Sequence, residues 1–144
     1  MRRVLLVAML PWMSGAYADE SAIGSVKTVV GEASVTTTGV KVKAAVGTPI
    51  YQGSQLQTGH QSTMGVIFKD ETVMSFGADT SFSVDEYLYA PAQGKLKLTS
   101  KLTKGSLNYI SGVIAKLKPE AVIVNTPSGA IGVRGTQFLV RVEE

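Results

Sequence analysis

Lys95, Lys97 and Lys101 recur at even spacing through the stretch Lys95–Leu102, with Lys104 just beyond it. In an extended strand successive side chains alternate between faces, so these ammonium groups share one side and Leu96, Leu98 and Leu102 the other. A lysine stripe of this kind suits phosphates of an envelope polymer such as lipopolysaccharide, or an acidic protein surface. Its plainer role is to guard an exposed edge or sheet face against aggregation. In Thr80–Tyr89 the same period puts Phe82, Val84 and Leu88 on one face and Tyr87 and Tyr89 on the other. Outward tyrosines suit interfaces, and Tyr51 and Tyr109 extend the aromatic set. Lys95, Lys97, Lys101, Tyr87 and Tyr89 are therefore the candidate partner-binding residues.

Catalytic chemistry finds little to work with. The chain has one histidine, His60, and no cysteine. His60 has no neighbouring acidic cluster for a zinc site and no serine–aspartate setting for a triad. Asp70-Glu71 and Asp85-Glu86 are adjacent acids, but neighbours in a strand face opposite ways, so they read as turn and solvent charges. Gly129–Gly132 lacks the strand-loop-helix setting of a phosphate loop. The expectation is a protein that is not an enzyme, with no catalytic residue, cofactor or metal.

Near the end of the chain, Arg134-Gly135-Thr136 is the most distinctive local motif. Glycine permits a tight turn, and an arginine fork bonds several backbone carbonyls at a strand corner. The alternative is that Arg134 grips a partner's carboxylate. The structural reading predicts that Arg134→Ala lowers folding stability. Thr126-Pro127 reads as a turn, with proline fixing φ at its start.

The elements that must carry these residues are strands. Period-two patterning dominates, Val, Thr, Ile, Tyr and Phe are abundant, and glycine- or proline-bearing turns interrupt the runs at short intervals. Gln137–Val142 repeats the alternation, with Phe138, Val140 and Val142 on one side. Only Ser111–Lys118 suits a helical turn or two, and Pro119 stops it. The pattern predicts a single all-β domain of many short antiparallel strands, either solenoid-like or a compact sandwich.

The N-terminus reads as a targeting segment. Arg2 and Arg3 precede an apolar run from Val4 to Met13, and Ala16-Tyr17-Ala18 is a small-x-small cleavage site. The expected organisation is a signal peptide over 1–18 and one domain over 19–144. Removing Arg2 and Arg3 lowers the net charge from +3 to +1, which argues against nucleic-acid binding. With no second apolar run of membrane length, a soluble periplasmic or secreted bacterial protein is expected. Lacking cysteine, it must be held by its hydrophobic core and not by disulfides.

The order of several short motifs resembles the FecR domain, a bacterial envelope module. Gly24-Ser25-Val26 followed by Val30-Gly31-Glu32-Ala33 is similar to its opening hairpin. Val46–Ile50 with Gly53–Gly59, and then Val66–Met74, are similar to its next two elements, with Glu71 where the family often has glycine. That substitution predicts a turn without positive φ at Glu71. Leu102–Leu107, Thr126-Pro127 and Val133–Thr136 complete the likeness to the end of the chain. In its best-known members this domain is the periplasmic part of a membrane-spanning regulator of iron uptake. The resemblance implies a free-standing exported module here, lacking the anti-sigma and transmembrane parts. Its expected partner is an envelope protein, in signalling or assembly; a glycan or anionic envelope polymer is the alternative.

Overall fold

The computed structural model describes residues 22–132 and 135–143. The expected signal peptide and Arg134 lie outside the described residues. Twelve strands form one curled sheet: β1 (Gly24–Val30), β2 (Ala33–Thr37), β3 (Val40–Lys43), β4 (Pro49–Ile50), β5 (Gln55–Thr58), β6 (Thr63–Phe68), β7 (Val73–Phe76), β8 (Ser81–Ala90), β9 (Lys95–Ile110), β10 (Val122–Thr126), β11 (Gly129–Gly132) and β12 (Gln137–Val142). One short helix, α1 (Val113–Leu117), occupies the segment where the sequence allows one, and a single turn of 3₁₀ helix at Pro119–Ala121 follows it.

The sheet runs β3-β2-β5-β8-β9-β7-β6-β1-β4. The 16-residue β9 belongs to both of its halves. Its N-terminal part lies between β8 and β10, and its C-terminal part between β7 and β12. Among the described residues only the β9–β10 ladder is parallel. The sheet curls like half a barrel, so that the inner faces of its two halves share one core. The all-β, single-domain architecture expected from the sequence is what the chain adopts.

Alternation explains the core. Leu56, Phe82, Val84 and Leu98 point inward from the first half, and Val66, Met74, Phe76 and Leu107 from the second. Phe76 meets Phe82 at 4.8 Å between ring centres, and Phe68 stacks on Tyr87 at 5.5 Å, so aromatic pairs join the halves. Each such buried side chain stabilises the fold by about 1.5–3 kcal/mol. The crossing of β9 between halves falls at Gly105, where φ is +96° and a Cβ would overlap Thr80. Thr80 uses that closeness: its hydroxyl donates to Gly77 O at 2.9 Å and accepts from Ser106 N–H at 3.1 Å.

Two expectations of strand phase and turn geometry fail. Asp85 is an extra residue in β8, since Val84 faces Ser100 while Glu86 faces Thr99. A bulge of one residue exchanges inside for outside in the remainder of the strand. Leu88 is therefore turned out, 46% exposed, and Tyr87 is turned in, 5% exposed. The second failure is at the β6–β7 turn, where Glu71 takes a positive φ of 73°. The turn geometry is set by the ladder bonds Phe68 N–H to Thr72 O and Glu71 N–H to Phe68 O, both 2.9 Å, whatever residue occupies the position.

Candidate functional site

The curled sheet presents two outer faces, and β9 contributes to both. On the first half, Lys95, Lys97 and Lys101 point outward and are exposed, while Leu98 and Leu102 are fully buried beneath them. Lys97 pairs with Glu86 at 2.9 Å, an exposed contact that adds little stability. Lys41 and Lys43 of β3 belong to the same half, which joins β3 to β9 through β2, β5 and β8.

Tyr87 and Tyr89 do not join this surface. The bulge at Asp85 places both on the inner side, Tyr89 half-buried against the core. Tyr87 instead completes a buried polar knot around Asp70, which is fully buried and not a solvent charge as its sequence suggests. The Tyr87 hydroxyl donates to Asp70 Oδ1 at 2.9 Å and accepts from the Asp70 N–H at 3.1 Å. Thr72 donates to Oδ2 from its hydroxyl at 2.8 Å and to Oδ1 from its N–H at 3.3 Å. Ile114 N–H donates to Oδ2 at 3.0 Å and Val113 N–H to the Asp70 carbonyl at 2.7 Å. Asp70 therefore caps α1 from a distant turn and ties it to the sheet. Gly112 is required beside it, because a Cβ there would overlap Thr72 N and the Asp70 carbonyl. Burial, and then the charge of Asp70, push the Tyr87 phenol far above its usual pKa. With its bonding capacity filled by protein donors and no solvent contact, this carboxylate acts as a structural tie.

A second buried phenol lies close by. Burial pushes Tyr109 up to about 12. Its ring stacks on Phe138 at 4.8 Å, and its hydroxyl has no hydrogen-bond partner among the described residues.

The outer face of the second half has a different composition. Cross-strand register aligns Gln137, Ile110, Val73 and Ile67 in one row, and Leu139, Asn108, Ser75 and Gly65 in the next. Leu139 is 65% exposed and Ile110 38%. Gln137 Nε2 donates to Asn108 Oδ1 at 3.2 Å, from the first row to the second. In these two rows no side chain is charged; Arg141 stands at their margin on β12. Sequence reasoning did not single out these positions. The signal was available, because Val66-Ile67-Phe68 and Phe138-Leu139-Val140 are unbroken apolar runs, and such runs mark strands apolar on both sides.

The terminal motifs are placed as turns. Thr126 and Pro127 open the β10–β11 turn, where the Thr126 hydroxyl donates to Gly129 O at 2.9 Å and accepts from Ser128 N–H at 3.2 Å. Gly135, at φ 96°, is held through its carbonyl by the Ser111 hydroxyl at 2.9 Å, and Thr136 O accepts from Ser111 N–H at 2.8 Å. His60 is exposed, with Nδ1 3.4 Å from Asp79 Oδ2. Among the described residues no three His, Cys, Asp or Glu side chains are grouped to hold a metal, and no helix is long and apolar enough to cross a membrane.

These features define an all-β domain that offers broad sheet faces. A model of the FecR protein family matches residues 54–144. That is more than half of the chain, and the chain belongs to the FecR family, whose members are generally envelope-associated and signalling-related. The likeness of Gly24–Ala33 to a FecR opening hairpin falls outside the matched span. No curated protein and no solved structure matches the chain.

Proposed function

We propose that this chain is a non-enzymatic FecR-type protein-interaction module of the bacterial envelope, exported by its N-terminal segment and serving in signalling or assembly. Its partner is an envelope protein that docks on the outer face of β12, β9, β7 and β6. One observation carries this reading: Leu139, Ile110, Val73 and Ile67 form an aligned apolar row system bordered by Asn108, Ser75 and Gln137, with no charge within it. Interface cores are depleted of charged residues and ringed by polar groups. Membership of a signalling-related, envelope-associated family supports the same reading.

A photo-crosslinking residue at position 139, in the protein expressed in its native envelope, tests it. The expected result is a discrete, saturable adduct with another protein, absent when the crosslinker stands at position 43 on the opposite face. Adducts at 139 with envelope polymer alone, or only with further copies of this chain, would refute the proposal.

A further inference from the structure

The first half of the sheet carries a band that the protein-docking reading does not use. On its outer face Lys41 stands opposite Thr36, Thr36 opposite Gln55 and Gln55 opposite Ser83. Ser83 in turn faces Lys101, and Lys101 faces Asn125 across the parallel ladder. Four inter-strand steps separate Lys41 from Lys101, or about 19 Å at the usual strand spacing. A parallel row adds Lys43, Ser34 and Gln57. Around that row lies an open groove of about 530 Å³, lined in part by Lys41, Lys43, Ser34, Gln57 and Glu32. Among the described residues Lys41, Lys43 and Lys101 have no ion pair. Three acids flank the band, none ion-paired with these three lysines: Glu32 at the groove, Asp85, which accepts from the Ser83 hydroxyl at 3.0 Å, and Glu86, which pairs with Lys97.

We infer that this band binds a linear acidic polysaccharide, one whose sugars carry carboxylates. The two ends of the band supply ammonium charges, and the strands between supply hydroxyl and amide groups that match sugar hydroxyls. Adjacent strands repeat these groups at regular intervals, which suits a polymer of repeating units. The band has no aromatic side chain, so it lacks the stacking platform that single-stranded nucleic acid uses. It also has no apolar residue between Lys41 and Lys101 to enter a lipid interface, which weighs against a membrane surface. The inference is independent of the protein-docking reading, because the two use opposite faces.

Affinity electrophoresis of the purified protein through gels containing polygalacturonate tests it, with dextran as the neutral polymer. Retardation is expected in polygalacturonate and not in dextran, and it should weaken as salt screens the lysines. Replacing Lys41, Lys43 and Lys101 by Gln should lower the affinity by about tenfold or more. Replacing Lys116 and Lys118 by Gln, which removes charge at and after α1, should change it by less than about twofold. Melting curves report whether each variant is folded, and Gln55→Ala, which alters no charge, supplies a milder loss should the triple variant unfold. No retardation, equal retardation in dextran, equal loss from the Lys116/Lys118 variant, or tighter binding to anionic phosphatidylglycerol vesicles would each overturn the inference.

Discussion

The two outer faces of this molecule are built from the same kind of strand and share β9, yet they differ in chemistry. One face sets lysines among serine, threonine and glutamine; the other sets Ile67, Val73, Ile110 and Leu139 among small neutral groups. Both rest on one core, so the difference lies in the outward positions alone. A sheet face is specified by every second residue, which leaves the inner positions to hold the fold and the outer ones free to diverge. Lysines therefore gather on one face while the two rows around Ile110 carry no charge, so each face can be altered without touching the other.

The largest expected effect removes both faces together. Asp70→Ala strands the donors of Tyr87, Thr72 and Ile114 in the core, and should cost about 3 kcal/mol or more of stability. Urea unfolding measures it. A variant that unfolds at the wild-type midpoint would show that the knot does not hold the halves.

Alkali should act on the common core next. The unfolded phenol of a tyrosine ionises near 10, while Tyr109 in the folded chain does so at about 12. Between these values the native state holds the proton that the unfolded state has released, so stability falls as pH rises. The contribution of Tyr109 is complete below pH 10 and decreases toward pH 12, by roughly 2–3 kcal/mol. Tyr87 acts in the same direction. Tyr109→Phe should make the fall shallower, and it should also relieve the unpartnered hydroxyl; denaturation series at pH 9 and pH 11 check both. An unchanged slope would remove Tyr109 from the account.

A crossover experiment then separates the faces. Leu139→Arg should weaken protein capture by about tenfold and leave polygalacturonate binding intact, and the Lys41/Lys43/Lys101 triple variant should do the reverse. If both variants lower both activities, the two surfaces are not separate.

The smallest effect concerns the β6–β7 turn. Glu71→Gly relieves a left-handed residue of type Glu and should stabilise the protein by about 1 kcal/mol without altering either face. A melting temperature unchanged or lowered would show that the Glu71 side chain offsets its backbone strain.

Period-two alternation marked the strands, and the turn residues separated them, because both are local properties of the backbone. The inward leucines of β9, the inward Phe138 and Val140 of β12, the short helix before Pro119 and the Thr126-Pro127 turn were all legible for that reason. The lysine stripe was legible too, since β9 keeps its phase from Lys95 to Leu102. Tyr87 was not. Nothing in Val84-Asp85-Glu86 announces that one residue is looped out, and a single bulge moves everything after it to the other face.

The sequence alone therefore determined the all-β class, the single core and the outward direction of the lysines, because each follows from side chains alternating along one strand. Tertiary structure decided which strands stand side by side. Only that pairing joins Lys41 to Lys101 in one band, aligns Ile67 with Ile110, and closes Thr72, Tyr87 and Ile114 around Asp70. Cross-strand register is a long-range property, fixed by how two apolar faces pack, and residues far apart in the chain carry no local mark of it.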